Sequence, residues 1–182
     1  MRGLPDSEVE RDLHAGLMVV VGLRNLHLDG NALGVRLDVA DVGDAIGTPQ
    51  EAVTEFESQL KDRKYLSEAA ARYGLGLAHM RARQYPAAER EVAELRRLKT
   101  SSPMVDTLAT DARKAQGDFA AALKLYREAR LRYPRNKALL YGQIDALLAD
   151  RQPQEALKTA TAELQLTPSD AALHGLQAKS YS

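Results

Sequence analysis

The chain has 182 residues, and its 25 Lys and Arg residues balance 25 Asp and Glu residues, so the formal net charge is zero. A protein that binds nucleic acid or anionic membranes needs a basic surplus or patch, so the balanced charge argues against both classes. The sequence contains no cysteine, which excludes disulfides, thiol catalysis and cysteine-ligated zinc.

The longest apolar run lies near the N-terminus, at residues 17–21. It is far shorter than the ~20 residues that a membrane-spanning helix needs. The residues before it are acidic where a signal peptide would be basic: Asp6, Glu8, Glu10 and Asp12. The sequence therefore predicts neither a membrane span nor a signal peptide.

Residues 1–47 hold most of the valines and form an N-terminal segment for which two structures stay open. In one, residues 33–47 form the first helix of a degenerate helical unit, although their glycines weaken a helix. In the other, alternating residues on both sides of Asp29-Gly30-Asn31 form a β-hairpin, because Asp-Gly is a favoured hairpin turn. An isolated hairpin is only marginally stable, and helical sequence follows, so we favour the helix.

Residues 48–182 form the second predicted domain, in which Ala, Leu, Glu, Arg and Lys dominate. These residue types are strong helix formers. The domain also repeats itself, since equivalent residues are separated by 34 positions: Ala88, Ala122 and Ala156, and likewise Pro134 and Pro168. A period of this length is typical of stacked helical units.

The pattern resembles the tetratricopeptide repeat, a helix–turn–helix unit whose period is the same as the one found here. In that family a small alanine, an aromatic residue, a second alanine and a proline mark the second helix, and all four are present here: Ala122, Tyr126, Ala129 and Pro134. Leu75-Gly76 matches the first-helix signature. The resemblance implies an all-α fold, a right-handed α–α superhelix of helical hairpins. We predict units at 69–102, 103–136 and 137–170, with a partial unit from 171.

An earlier unit is partly recognisable. The run from Thr48 to Ala52 repeats the run from Gln152 to Ala156, and Phe56 follows Ala52 by one helical turn as Tyr126 follows Ala122. At the other end, Ala178 and Tyr181 occupy first-helix positions of a fourth unit. We expect that the chain is a fragment whose parent continues beyond this helix.

No residue pattern predicts catalysis or metal binding. The four histidines do not form a zinc-binding pair: His14, His27, His79 and His174. Neither a phosphate-binding glycine loop nor a nucleophile elbow is present. Gly74-Leu75-Gly76 is better explained by close helix packing. We therefore predict a chain that is not an enzyme and has no cofactor.

In the family, the first helices of the hairpins line a concave groove. The resemblance places a partner protein or peptide segment there, against these residues: Tyr73, Leu77, Arg81, Thr107, Asp111, Lys114, Tyr141, Asp145 and Leu148. Tyrosine offers a large contact area with few rotatable bonds, so Tyr73 and Tyr141 are the expected anchors. The residue types in these positions do not form a Lys/Asn clamp for a terminal carboxylate.

Four stretches are also similar to the C-terminal repeats of BepA-like periplasmic zinc metallopeptidases: residues 65–78, 84–88, 139–142 and 164–170. That resemblance implies a periplasmic interaction module of a protease that takes part in outer-membrane protein quality control. The H-E-x-x-H motif of such proteases is absent from this chain, so no zinc ligand or catalytic residue is carried over. The alternative is a free-standing scaffold of a cytoplasmic or envelope complex.

Overall fold

The computed structural model describes Arg11, Leu13 and residues 48–62 and 67–181. Within those residues the regular elements are all α-helices, and no strand is present. The all-α prediction is therefore confirmed for this part. Both interpretations of the segment up to residue 47 fall outside the described residues, so its separation from residues 48–182 stays a prediction.

Eight helices follow one another in residues 48–62 and 67–181: α1 (Pro49–Asp62), α2 (Glu68–Arg81), α3 (Tyr85–Arg97), α4 (Pro103–Ala115), α5 (Phe119–Arg132), α6 (Lys137–Ala149), α7 (Pro153–Leu166) and α8 (Ala171–Lys179). The chain divides into two compact units after Leu108, within α4. In the first unit, α2 packs against both α1 and α3. In the second unit, α6 packs against α5 and α7, and α8 packs against α6 and α7.

The first helices of the hairpins begin at equivalent capping residues. Ser102, Asn136 and Asp170 recur at the period of the repeat. Each side chain accepts a hydrogen bond from the backbone N–H of the third residue after it, at 3.3, 3.0 and 3.2 Å. Such a bond satisfies an N–H that has no partner inside the helix. The sequence therefore marks the helix starts through a single recurring polar position.

The turn inside each hairpin recurs at the same period. Arg83, Gly117 and Arg151 have positive φ angles of 57°, 79° and 56°. After each of them the next backbone N–H donates a hydrogen bond to a carbonyl in the last turn of the preceding helix, at 2.8 Å, 3.0 Å and 2.8 Å. A left-handed residue lets the chain leave the helix while its last carbonyls remain bonded. Glycine adopts this conformation freely, whereas the two arginines do so at a cost.

The interior is built from a seam of small residues. Ala88, Ala122 and Ala156 are fully buried, as the repeat register predicts. Phe56 and Tyr126, which occupy equivalent positions in α1 and α5, are fully buried as well. Small side chains let neighbouring helix backbones approach, and the aromatic rings fill the remaining volume one turn away.

Both aromatic rings lie against a glycine. A Cβ atom added to Gly74 would lie 2.1 Å from Phe56 Cε1, and one added to Gly142 would lie 2.6 Å from Tyr126 Oη. These distances are far below a van der Waals contact, so each glycine is needed to make room for its ring. The prediction that Gly74 and Gly76 serve close helix packing is confirmed, since a Cβ on Gly76 would also lie only 2.7 Å from Leu108 Cδ2.

Candidate partner-binding face

In the second unit, five predicted groove residues lie on the 109–115 part of α4 and on α6. We call them the first-helix face: Asp111, Lys114, Tyr141, Asp145 and Leu148. Lys114 Nζ lies 3.1 Å from Asp145 Oδ2 and 3.6 Å from Asp111 Oδ1. The lysine thus joins the two helices, while the Asp145 side chain keeps 52% of its surface exposed.

A buried carboxylate fixes Tyr141 in place. Tyr141 Oη donates a hydrogen bond of 2.7 Å to Asp170 Oδ2, and Lys137 Nζ donates one of 2.6 Å to the same oxygen. The other oxygen, Oδ1, accepts from the backbone N–H of Leu173 at the start of α8. Asp170 therefore links α6 to α8 and sets the orientation of the half-buried Tyr141 ring.

These contacts shift the ionisation of the groups involved. The hydrogen bond from Lys137, followed by that from Tyr141, holds the pKa of Asp170 well below its usual range. Burial and the hydrogen bond to Asp170 raise the pKa of Tyr141. Both shifts favour an ionised Asp170 and a neutral tyrosine hydroxyl, so the arrangement persists at neutral pH.

A second tyrosine, Tyr126, binds the α4 part of the first-helix face from the protein interior. Tyr126 Oη donates a hydrogen bond of 2.9 Å to Asp111 Oδ1. Burial and the negative charge of Asp111 raise the pKa of Tyr126, so its hydroxyl stays protonated. The carboxylate of Asp111 is therefore held by one donor from the interior while Lys114 approaches it from the surface.

Open space lies at the position of α8 that corresponds to Tyr141. Gly175 lies one repeat period after Tyr141, and a Cβ atom added to it would meet no atom within 4 Å. Unlike Gly74 and Gly142, this glycine is exposed and is not required by packing. The surface of α8 is therefore open at this position.

The first-unit members of the predicted groove are placed differently. Tyr73 and Leu77 keep only 6% and 4% of their surface exposed, so their side chains belong to the interior. Thr107 is half-buried, and its hydroxyl donates to the backbone carbonyl of Pro103 at 2.8 Å. Arg81 is half-buried in the last turn of α2. Tyr73 is thus less accessible than the half-buried Tyr141, and its role as an anchor stays a prediction.

Three residues that matter for the face were absent from the sequence hypothesis: Lys137, Asp170 and Gly175. Asp170 could have been found as a helix cap, since it follows Asn136 by one repeat period. Lys137 lies one helical turn before Tyr141, which is the spacing of neighbours on one helix face. Their convergence on one carboxylate depends on the tertiary placement of α8, which spacing alone does not give.

Among the described residues, no group of three or more His, Asp or Glu side chains could hold a metal ion. None of the helices in this part of the chain is long and apolar enough to cross a membrane.

Comparison with known protein families identifies two matching regions. The tetratricopeptide repeat model matches residues 44–103 and 108–171, which together make up more than half of the chain. No curated protein matches the chain. No solved structure matches it.

The chain belongs to the tetratricopeptide repeat family. Its fold class is thus the one predicted, since stacked hairpins of this type are the units of right-handed α–α superhelices. Repeats of this family are protein–protein interaction modules and are generally not catalytic. The class of partner is therefore another protein.

Proposed function

We propose that this chain binds a short segment of a partner protein through the first-helix face of the second unit. The observation that carries the proposal is Tyr141, whose half-buried ring is held by its hydrogen bond to Asp170. A tyrosine that is already fixed loses little conformational entropy when a partner packs against it. The space over Gly175 offers room for one side chain of the partner.

The charges of the face indicate which kind of segment fits. Lys114 is balanced by Asp111 and Asp145, and Lys137 is balanced by Asp170. A strongly charged segment would have to compete with these existing ion pairs. The favoured partner is therefore a segment with an apolar or aromatic anchor and little net charge, and its affinity should depend only modestly on salt.

The proposal is tested by selecting short peptides from a random phage-displayed library against the full chain. Affinities of the synthesised peptides are then measured by fluorescence anisotropy. Tyr141→Ala should weaken binding by about tenfold or more, because removal of an aromatic anchor typically costs over about 1 kcal/mol. Tyr141→Phe keeps the ring and loses the bond to Asp170, so its affinity should lie between those of the wild type and Tyr141→Ala.

The matched control is Lys158→Ala on α7, where the side chain is 77% exposed. This variant should bind the selected peptides normally, and circular dichroism should show the same helical content for all variants. Normal binding by Tyr141→Ala together with a loss in Lys158→Ala would show that the partner occupies another face.

A narrower proposal rests on the sequence resemblance alone. We infer that the chain serves as the repeat region of a BepA-like periplasmic zinc metallopeptidase that takes part in outer-membrane protein quality control. A free-standing scaffold of a cytoplasmic or envelope complex is the alternative. An H-E-x-x-H helix in the same polypeptide, together with recovery in the periplasmic fraction, would support the first. A polypeptide without that helix would support the second.

A further inference from the structure

The second unit carries a groove between the C-terminal parts of α5 and α7, away from the first-helix face. We call it the arginine groove. It has a volume of about 490 Å³ and is lined by Arg127, Arg130, Leu131, Pro134, Glu163 and Leu166. Leu131 and Leu166 are 85% and 78% exposed, so two large apolar side chains meet solvent along one depression. Single exposed leucines are ordinary, whereas two that line the same groove give it apolar surface that a partner could cover.

The floor of the groove is preorganised. Arg130 Nη1 donates a hydrogen bond of 2.9 Å to Gln143 Oε1 on α6, and its other terminal nitrogen pairs with Glu163 on α7. The arginine therefore connects three helices and leaves 22% of its side chain exposed. A guanidinium held in this way needs no further ordering when a partner covers it.

The charge around the groove is locally positive although the whole chain is neutral. On the α5 side of the groove, residues 127–135 contain four basic residues and a single acidic one, Glu128. Within the groove, Glu163 balances Arg130, whereas Arg127 is exposed and adds a further positive charge. Arg127 precedes Leu131 by one helical turn, so a positive charge and an apolar side chain lie on the same face.

The repeat itself does not require an exposed leucine here. The residue equivalent to Leu131 in the first unit is Arg97, one repeat period earlier. Arg97 pairs with Glu94 at 2.9 Å and lies 3.8 Å from Glu68. A polar residue therefore satisfies this repeat position, and the leucine is a property of the second unit.

We propose that the arginine groove is a second docking site and that its occupant is an acidic protein segment with leucine-like side chains. Its carboxylates would meet Arg127, and its apolar side chains would cover Leu131 and Leu166. Both kinds of complementarity are needed, which favours an acidic peptide over RNA. A phosphate backbone would use the arginines and leave the two leucines uncovered. The site is independent of the first-helix face.

The test uses the full chain and a fluorescein-labelled peptide in which pairs of Asp residues alternate with pairs of Leu residues. Fluorescence anisotropy should show saturable binding. The same peptide with Lys in place of Asp, or with Ser in place of Leu, should bind at least about tenfold more weakly. Leu131→Ser and Leu166→Ser should each weaken binding about fivefold, and Arg127→Glu about tenfold.

Three control variants distinguish the groove from the rest of the surface. Tyr181→Ser removes another exposed apolar side chain, and Lys158→Glu reverses a charge on the outer face of α7. Tyr141→Ala tests the first-helix face, so unchanged binding in all three assigns the peptide to the groove. A flat titration, equal weakening by the controls, or tighter binding of an oligouridylate that ignores Leu131→Ser would overturn the proposal.

Discussion

A partly buried arginine has different surroundings in the two units. In the first unit, Arg72 is surrounded by carboxylates: its nitrogens lie 3.0 Å from Glu68, 3.0 Å from Glu91 and 3.6 Å from Glu94. In the second unit, Arg130 has one carboxylate partner, and the groove around it is lined by exposed leucines. The first surface is closed by its own ion pairs, whereas the second keeps apolar area and positive charge available to a partner.

The interiors of the two units are nevertheless alike. Phe56 lies against Gly74 in the first unit, and Tyr126 lies against Gly142 in the second. Steric fit in the interior leaves little freedom, because a single added carbon must displace a ring. Surface positions lack that constraint. The repeat pattern therefore predicts the interior, whereas the partner must be inferred from the surface of each unit.

The largest effect is expected from removing an aromatic ring from the shared interior pair. Phe56→Ala and Tyr126→Ala should each destabilise the chain by about 3–5 kcal/mol, because a large buried side chain is lost and a cavity is left. Urea unfolding followed by circular dichroism measures both. A cost below about 1 kcal/mol for either would contradict the equivalence of the two interiors. Leu166→Ala, at an exposed site, should change stability by less than about 0.5 kcal/mol.

The next effect is a change in stability that should have opposite signs at two glycines, Gly142 in α6 and Gly175 in α8. Gly142→Ala should destabilise by about 1–3 kcal/mol, since its Cβ would collide with Tyr126. Gly175→Ala should stabilise by up to about 1 kcal/mol, because its position is open and alanine favours a helix. Thermal unfolding of the two variants measures this contrast. Shifts of the same sign would contradict the packing described for Gly142.

Tyr126→Phe makes the interior of the second unit resemble that of the first. It removes the hydrogen bond to Asp111 while keeping the ring against Gly142. A bond to a charged acceptor contributes about 1.5–3 kcal/mol, and the partial exposure of Asp111 places the loss near the lower value. Denaturant unfolding gives the difference. An unchanged midpoint would show that the hydroxyl adds nothing to the stability of this unit.

The smallest of the predicted effects depends on pH. Asp170→Asn should lower the melting temperature at neutral pH, because the carboxylate that holds Lys137 and Tyr141 is lost. The folded-state pKa of Asp170 lies below its unfolded value, so its contribution is complete above about pH 4 and is lost as the pH falls further. The wild-type advantage should therefore be constant from about pH 7 to 5 and shrink by about pH 3. A constant advantage throughout would contradict the ion pair.

Much of the architecture could be predicted from spacing. The period of the repeat locates the seam alanines, the capping residues and the turns, because each is fixed by local backbone chemistry. Gly74 and Gly142 are equivalent as well, since they lie two repeat periods apart. These features are properties of a helix and its immediate neighbours, so a single sequence is sufficient to find them.

The exposure of the groove residues could not be predicted in the same way. Tyr73 and Tyr141 occupy the same repeat position, yet one is covered and the other is half-open. The repeat pattern makes the two positions equivalent, but it does not predict how exposed each side chain is. The meeting of Lys137, Tyr141 and Asp170 likewise depends on how α8 is placed against α6.

The second unit is inferred to carry the surface for a partner segment, whereas the first unit is not. Hydrogen–deuterium exchange of the full chain, with and without a peptide selected against it, tests this difference directly. We expect slower exchange in α6 and α8 and in residues 109–115, with α2 unchanged, since bound peptide covers the first-helix face. Protection concentrated in α2, around Tyr73 and Leu77, would contradict the inference.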